Sequence, residues 1–279
     1  MDGPADAWEI ASLAPSPRNG FEGRIALITD GTQGVARGLA LSLAARGAVP
    51  VITYDRDVGG AQETVAAIKQ RGISTISIHA DLDAADDIES MFEMIEERFG
   101  RIDFFVSNAR ASTSRPLIEF EPDCLERTFN ANVRVLVLGA QHAVRLMDRG
   151  GRIVVLSSYR SRYASPMAAN DGAAHAAADE WARQIAVELA PLDINVNVLM
   201  LGIIGSDSGS AVFDSGPALP IDRIGSWIPK QRAGLVQEAV DGALFLLSPA
   251  SEYVTGATLV VDGGLTAALP PVQSDMTPG

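Results

Sequence analysis

The feature that most constrains this chain is a regular alternation of short apolar runs with longer amphipathic runs. The apolar runs are rich in Ile and Val and have the length of buried strands, whereas the runs between them have the length and apolar spacing of helices. The strand-like runs are RIALIT, VPVITY, STISIHA, IDFFVSN, GRIVVLSS, NVNVLML and ATLVVDGG. Because successive parallel strands need helical crossovers, the alternation predicts a single α/β domain: a doubly wound parallel sheet with helices on both faces.

Charge and hydropathy exclude two classes of partner. The chain of 279 residues carries a net charge of −13 at pH 7, whereas a surface for nucleic acid or anionic membrane would need a basic patch. No apolar run is long enough to cross a bilayer, and the first 20 residues lack the basic and apolar regions of a signal peptide. A single cysteine, Cys124, is typical of a reducing compartment. We therefore expect a cytoplasmic protein that binds neither nucleic acid nor membrane.

Composition shifts divide the chain into a domain, two arms and a loop. Residues 1–20 and 267–279 are rich in Pro, Ala and Ser, which predicts a flexible N-terminal arm and a flexible C-terminal tail around a domain at 21–266. Within the domain, residues 205–230 are rich in Gly, Ser and Pro and have no strand or helix pattern. Such a composition suits a loop that can close over a ligand.

The stretch from Gly151 to His175 carries the candidate chemistry. A buried strand ends at Ser158, and a helical pattern begins at about Asp171 and is ended by Pro191. Asp171 and His175 are four residues apart, so on a helix the carboxylate can bind the imidazole and favour its charged form. Such a pair is a candidate general acid or base near neutral pH, and Ser158 is a candidate group for binding an oxyanion or an alcohol.

Several segments resemble the short-chain dehydrogenase/reductase family. TDGTQGVARG follows the family's T-G-x-x-x-G-x-G pattern, IDFFVSNAR follows D-x-L-V-N-N-A-G, and VTGATLVVDGG follows its closing strand. The resemblance covers about residues 21–266. It implies a Rossmann-type fold, a small-molecule substrate, a substrate lid at residues 205–230 and a homodimer or homotetramer.

The resemblance also assigns cofactor contacts. They fall on Thr29, Gly34, Asp55, Asp81, Asn108 and Gly202. Asp55 stands where an acidic residue binds the ribose hydroxyls of NAD and repels the extra phosphate of NADP. Asp30, Ala36 and Arg110, however, stand where the family has glycine, and Asp30 adds a carboxylate near the phosphates. We therefore expect no cofactor or a weakly bound one, NAD(H) if any.

The family's catalytic register is kept while its residues are changed. In the family a tyrosine follows the serine by 13 residues and a lysine follows the tyrosine by four; counting from Ser158 gives Asp171 and His175. The family's active-site asparagine falls on Asn132. No Tyr-x-x-x-Lys occurs anywhere in the chain, and Tyr159 and Tyr163, in the loop after the serine, are open as substitutes.

Three functions remain open from the sequence. The favoured one is non-redox acid–base chemistry of the lyase, dehydratase, isomerase or cyclase type on a small oxygenated metabolite. In it, Asp171 and His175 move protons while Ser158 and Asn132 polarise an oxygen. The alternatives are an NAD(H)-dependent oxidoreductase acting on an alcohol or carbonyl, and a non-catalytic binding subunit in which Asp171 only caps a helix. The scattered histidines and single cysteine predict no metal site.

Overall fold

The computed structural model describes residues 20–108, 116–164, 168–205 and 227–268, which form one parallel sheet of seven strands in the order 3-2-1-4-5-6-7. The strands are β1 (Ile25–Ile28), β2 (Val49–Tyr54), β3 (Ser77–His79), β4 (Phe104–Asn108), β5 (Arg152–Ser158), β6 (Asn195–Leu201) and β7 (Thr258–Val261). The predicted doubly wound α/β fold is confirmed.

The helices follow the amphipathic runs of the sequence. They are α1 (Gly34–Ala44), α2 (Val58–Lys69), α3 (Ala85–Phe99), α4 (Pro122–Phe129), α5 (Val135–Leu146), α6 (Ala169–Leu189) and α7 (Val236–Leu247). A π-helical turn at Asn130–Arg134 joins α4 to α5. None of the helices in the described ranges is long and apolar enough to span a membrane.

The sheet separates two apolar cores. Alternate residues of β1 supply both, because successive side chains of a strand point to opposite faces: Ala26 and Ile28 pack with α1, α2 and α7, whereas Leu27 packs with α3, α5 and α6. On α6 the buried face is a row of alanines that lets the helix lie close to β5 and β6: Ala174, Ala178, Ala182 and Ala186.

The strand order fixes where a ligand can bind. The chain passes from β1 outward to β2 and β3, then returns to the other side of β1 to form β4. At such a switch point the connections leave the sheet on opposite faces and open a crevice beyond the carboxyl ends of the strands. Thr29, Asn108 and Ser158 all lie at or directly beyond these ends, which places the sequence-predicted site residues at one edge of the sheet.

Several sequence predictions fall outside the described residues. They concern the arm at 1–19, Arg110, most of the lid at 206–226 and the tail at 269–279.

Candidate active site

Helix α6 places Asp171 and His175 together and buries both. Their relative exposures are 4% and 8%, and Asp171 Oδ1 lies 3.5 Å from His175 Nε2. The pair therefore occupies the face of α6 that the four-residue spacing predicts, at the amino end of the helix. The imidazole has two ring nitrogens that can donate or accept a hydrogen bond, so a second polar partner for a ligand stands beside the Asp171 carboxylate.

A buried arginine, absent from the sequence-based list, completes this cluster. Arg160 Nη1 donates to Asp171 Oδ2 at 3.0 Å, and the arginine side chain is 13% exposed. Burial lowers the pKa of the Arg160 guanidinium, but the hydrogen bond to Asp171 and the neighbouring Tyr159 outweigh it and raise that pKa overall. The signal in the sequence is indirect: a buried carboxylate needs a cation, and the only two lysines, Lys69 and Lys230, lie far from Asp171 along the chain.

A glycine allows Arg160 to approach the helix. A Cβ at Gly172 would lie 2.8 Å from the carbonyl oxygen of Arg160, closer than real Cβ contacts come. The short turn Tyr159–Ser161 therefore packs directly on the first turn of α6. This close approach brings the guanidinium within reach of Asp171.

Ser158 and Asn132 approach the site from two further elements. Ser158 ends β5, and its Oγ accepts the Arg160 N–H at 3.3 Å, which leaves its own O–H to donate to a ligand. Asn132 is 2% exposed in the π-helical turn, and its Nδ2 donates to the Thr128 carbonyl at 2.8 Å. The Asn132 side chain is thus braced against the backbone of its own helix.

The two loop tyrosines lie in other contacts. The Tyr163 hydroxyl donates to the Thr266 carbonyl at 2.6 Å, at the C-terminal end of the described chain. Tyr159 packs against Ile203 and Ile228. Tyr163 is thereby held to the C-terminal segment, whereas the Tyr159 ring lies between this small apolar cluster and the Arg160 guanidinium, 5.9 Å from its centroid.

The first βα turn is held by hydrogen bonds to β2 and β4. Thr29 Oγ1 accepts the Asn108 N–H at 2.7 Å and lies 3.0 Å from the Asn108 carbonyl, to which it donates. The Asp30 N–H donates to Thr53 Oγ1 at 2.9 Å, and Asn108 Nδ2 donates to the Asp30 carbonyl at 3.3 Å. Asp30 and Gly34 both have left-handed backbone, with φ of 51° and 56°. Asn108 therefore joins the turn to the end of β4.

The remaining predicted cofactor residues lie along the same edge of the sheet. Asp55, just beyond β2, is exposed and pairs with Arg56 at 3.2 Å. Asp81, just beyond β3, is exposed, and its Oδ1 accepts the Asp83 N–H at 3.0 Å. Packing alone requires glycine at position 202, since a Cβ on Gly202 would lie 2.6 Å from Cα of Asp262.

A cavity of about 490 Å³ opens beyond the ends of β6 and β7. Its walls include Ile203, which also packs against Tyr159, and two cations, Lys230 and Arg232. Arg232 is bound to Glu238 at 2.6 Å. The cavity thus combines an apolar wall that adjoins the site with a rim of mixed charge, in which Glu238 and Asp262 balance the two cations.

Comparison with known proteins identifies related reductases. A family model described as enoyl-(acyl carrier protein) reductase matches residues 31–266. The 1-cyclohexenylcarbonyl-CoA reductase of Streptomyces collinus is 42% identical over 252 residues, which cover 90% of this chain and 90% of that protein. The tetrahydroxynaphthalene reductase of Pestalotiopsis fici is 31% identical over 273 residues, which cover 94% of this chain and 99% of that one.

Solved structures show the same architecture with a nucleotide bound. A short-chain dehydrogenase from Burkholderia cenocepacia in complex with NADP has a TM-score of 0.82 and 30% identity, and the match covers 89% of this chain and 100% of that one. A blue fluorescent protein from a metagenomic library, in complex with NADPH, has a TM-score of 0.81 and 28% identity, with 88% and 99% covered.

The prediction of non-redox chemistry is wrong. Proteins that match this chain over nine-tenths or more of its length are named reductases. The prediction failed because a reduction also needs a proton donor and a group that binds the substrate oxygen, so Asp171, His175 and Ser158 do not distinguish it from an elimination or isomerisation. The oxidoreductase alternative is the one that the comparisons favour.

Proposed function

This chain is a member of the short-chain dehydrogenase/reductase family, and we propose that it is a nicotinamide-dependent reductase of an α,β-unsaturated acyl thioester. The observation that carries the proposal is the 42% identity, over 90% of both chains, to a reductase named for 1-cyclohexenylcarbonyl-CoA, a thioester whose ring double bond is conjugated to its carbonyl. A nicotinamide cofactor replaces the expected absent or weak one, since two similar structures hold NADP or NADPH.

The first βα turn fits a dinucleotide despite its departures from the family pattern. Asp30 adopts the left-handed backbone that a glycine would supply, and aspartate tolerates this conformation better than most residues. A Cβ at Gly34 would meet nothing within 4 Å, so open space lies beside the start of α1, where this fold binds a pyrophosphate. Ala36 adds only a methyl group, buried at 1% exposure. Thr29, Gly34 and Asn108 would hold the dinucleotide. Repulsion between the Asp30 carboxylate and the phosphates would lower the affinity.

The loss of the family's tyrosine and lysine favours a conjugated thioester over a ketone. Ketone reduction requires a proton at the oxygen as an alkoxide forms, which is the task of the family's tyrosine. Reduction of a conjugated double bond instead develops charge on the thioester oxygen as an enolate, a weaker base that mainly requires hydrogen-bond donors and positive charge. Asp171 and His175 stand in the register of the missing pair.

The site residues have distinct roles in this reaction. When bound, the reduced nicotinamide supplies a hydride to the β-carbon of the substrate. The Ser158 hydroxyl and a ring N–H of His175 would donate hydrogen bonds to the thioester oxygen, and the enolate formed by hydride addition would then take a proton from water at its α-carbon. Asp171 holds the imidazole, while Arg160 neutralises the buried carboxylate that would otherwise be uncompensated. Asn132 braces the π-helical turn behind them.

The choice between the two nicotinamide dinucleotides depends on Asp55 and Arg56. Asp55 suits the free ribose hydroxyls of NADH, whereas Arg56, whose side chain is 93% exposed, suits the extra phosphate of NADPH. Asp55→Ser removes the repulsion and keeps the cation. We expect it to raise the ratio of kcat/KM for NADPH over NADH, by about tenfold for a change near 1.4 kcal/mol.

The substrate lid, the cavity and the oligomeric state are parts of the same proposal. We expect residues 205–230 to act as the substrate lid and Lys230, which lines the cavity, to face the anionic carrier of the thioester. A homodimer or homotetramer is supported by exposed apolar side chains on α6, such as Trp181 and Val187, at 46% and 70% exposure. Light scattering at several protein concentrations tests the assembly.

A steady-state assay tests the proposal. The full-length protein is supplied with 1-cyclohexenylcarbonyl-CoA and either NADPH or NADH, and loss of the reduced cofactor is followed. We expect turnover that His175→Gln lowers by about 100-fold or more. The matched control is Glu180→Gln, an exposed position on the same helix that keeps the wild-type rate. Equal rates for His175→Gln and the wild type would remove His175 from the chemistry.

A second substrate class is supported by the tetrahydroxynaphthalene reductase, at 31% identity. Its name indicates reduction of a hydroxylated aromatic ring system, whose ketone tautomer would need a proton at oxygen. The same assay with tetrahydroxynaphthalene separates the two classes. Turnover of that compound without turnover of the thioester would favour the second class.

A further inference from the structure

The first turn of α6 carries Asp171 and begins at a residue that cannot cap it. The N-cap position is Ala168, whose methyl group accepts no hydrogen bond from the first N–H groups of the helix. The Asp171 carboxylate is itself bound to Arg160 and lies beside His175. Because helix ends fray unless other contacts hold them, the placement of Asp171 depends on what the rest of this turn contacts.

Asn170, the residue before Asp171, ties this turn to α4. The Asn170 side chain is 3% exposed, and its Nδ2 donates to Thr128 Oγ1 at 2.8 Å and to the Cys124 carbonyl at 3.1 Å. The same nitrogen lies 3.9 Å from the Cys124 Sγ. An amide nitrogen has two N–H groups, which match the two oxygens that α4 offers on one of its faces. One side chain thus joins the start of α6 to two successive turns of another helix.

Thr128 connects Asn170 to the π-helical turn. Its backbone carbonyl accepts the hydrogen bond from Asn132 Nδ2, at 2.8 Å, that braces the Asn132 side chain. Its hydroxyl accepts from Asn170 and donates to the Cys124 carbonyl at 3.0 Å. Thr128 is 1% exposed, so these contacts are closed to solvent. The same threonine therefore contacts Asn132 through its carbonyl and the helix of Asp171 through its hydroxyl.

The amide of Asn170 is not needed to satisfy α4. Without it, the Thr128 hydroxyl still donates to the Cys124 carbonyl, so neither group is left without a partner. Within the described ranges the Asn170 Oδ1 is buried and accepts no hydrogen bond, which is a cost to stability. A leucine has the same branched shape and would avoid that cost. The direction that the amide fixes between the two helices accounts for an asparagine at this position.

We propose that Asn170 is a positioning residue, which fixes the first turn of α6, with Asp171 and His175, relative to the π-helical turn. This inference rests on the proposed function, in which His175 binds the thioester oxygen. Loss of the tie leaves every site residue in the chain but lets the two helices shift against each other. Because the enolate oxygen requires correctly placed donors, such a shift slows the chemical step more than it weakens binding of the thioester.

The first test is steady-state kinetics with 1-cyclohexenylcarbonyl-CoA and the reduced cofactor. Asn170→Leu and Thr128→Val each remove one partner of the hydrogen bond between these residues. Each should lower kcat by about tenfold or more, with KM changed by less than about twofold. The double variant should be little slower than the single ones, because all three lack the same link. Thr128→Ser keeps the hydroxyl and should keep the wild-type kcat.

The matched control is Gln184→Leu, which removes an exposed side-chain amide from the same helix, where it donates to Glu180 at 2.6 Å. It should keep the wild-type kcat and KM. A wild-type kcat in Asn170→Leu would overturn the proposal. A fall in kcat that is as large in Thr128→Ser as in Thr128→Val would also overturn it, since the hydroxyl would then not matter. The threonine variants give this decision even if Asn170→Leu does not fold.

The second test needs neither cofactor nor substrate and separates this inference from the proposed function. Amide hydrogen exchange of the full-length protein is followed by mass spectrometry. In Asn170→Leu we expect the first two turns of α6 and the π-helical turn to exchange about tenfold faster, with the central strands unchanged. Gln184→Leu should leave both segments as they are in the wild type. If the wild type does not reduce the thioester, the proposed function fails and exchange alone decides the role of Asn170. Exchange in both segments that is the same in Asn170→Leu as in the wild type would falsify this inference in either case.

Discussion

At the scale of single residues, the site is a chain of compensated buried charges. Asp171 lies between a guanidinium at 3.0 Å and an imidazole at 3.5 Å, so the buried carboxylate has a cation on one side and a polar ring on the other. Such a cluster contributes little net stability when complete, because desolvation offsets the attraction. It becomes costly when one member is removed, since a buried charge then loses its compensating opposite charge.

The first prediction at this scale concerns Asp171→Asn. It leaves Arg160 buried without its carboxylate, and we expect the free energy of unfolding to fall by about 3 kcal/mol. Urea denaturation measures the change. Arg183→Gln is the matched control, because it breaks an exposed pair with Glu180 on the same helix and should leave the unfolding curve in place. Equal effects of the two variants would show that the Asp171 pair is no more important than a surface pair.

A second residue-scale prediction concerns Asp30→Gly. Glycine relieves the left-handed backbone, whose φ is 51°, and removes a carboxylate from beside the cofactor phosphates. We expect stability to rise by about 1 kcal/mol and NADPH to bind about fivefold more tightly by calorimetry. Asp193→Gly, at a φ of 63° in the turn after α6, should gain stability without any gain in affinity. An unchanged affinity in Asp30→Gly would mean that the carboxylate points away from the dinucleotide.

The pH dependence of stability gives a third prediction at this scale. Burial raises the pKa of the Asp179 carboxyl above its ordinary value of 3.8. Just above pH 3.8 the folded protein therefore keeps the Asp179 proton, whereas the unfolded chain has released it. Stability on account of Asp179 is therefore greatest below pH 3.8 and falls as pH rises above it. Asp179→Asn should remove this fall and be at least as stable as the wild type at neutral pH. Chemical denaturation at a series of pH values decides, and a loss of stability in the variant at neutral pH alone would contradict the assignment.

At the scale of elements, the contact between the Tyr159–Ser161 turn and α6 sets the geometry of the site. Sequence reasoning located both flanking elements, because their apolar patterns are local. It missed Arg160, because the pairing of that guanidinium with Asp171 depends on how closely the turn approaches the helix. Gly172 makes that close approach possible, and no periodic pattern in the sequence indicates that the glycine has this role.

Gly172→Ala tests this contact. Alanine normally stabilises a helix relative to glycine, but here its Cβ would lie 2.8 Å from the Arg160 carbonyl. We expect a loss of about 1–3 kcal/mol together with weaker catalysis, as the turn moves away from Asp171. Gly59→Ala, in α2 with nothing within 4 Å of the new Cβ, should be neutral or slightly stabilising. Thermal unfolding of both variants gives the comparison.

At the scale of the whole molecule, the parallel sheet was predictable and the cofactor site only partly so. Alternating runs of apolar and amphipathic sequence specify a parallel sheet, whereas the order of its strands, and with it the switch point beside β1, is seen only in the structure. Asp30 and Ala36 predicted an impaired turn, yet both are accommodated there, since Asp30 adopts the left-handed backbone itself and the Ala36 methyl is buried. Matching the motif residue by residue thus predicted an impaired turn, because it takes no account of the neighbouring strands that hold the turn in its conformation.

The most direct test of the central claim follows the hydrogen that the cofactor donates. The full-length protein is incubated with 1-cyclohexenylcarbonyl-CoA and NADPH, or NADH, deuterated at the reactive carbon of the nicotinamide, and the acyl product is analysed by mass spectrometry and NMR. The account predicts a saturated thioester with a single deuterium at the β-carbon, formed at a rate that collapses in His175→Gln. A thioester recovered unreduced with both cofactors, while either cofactor binds, would contradict it.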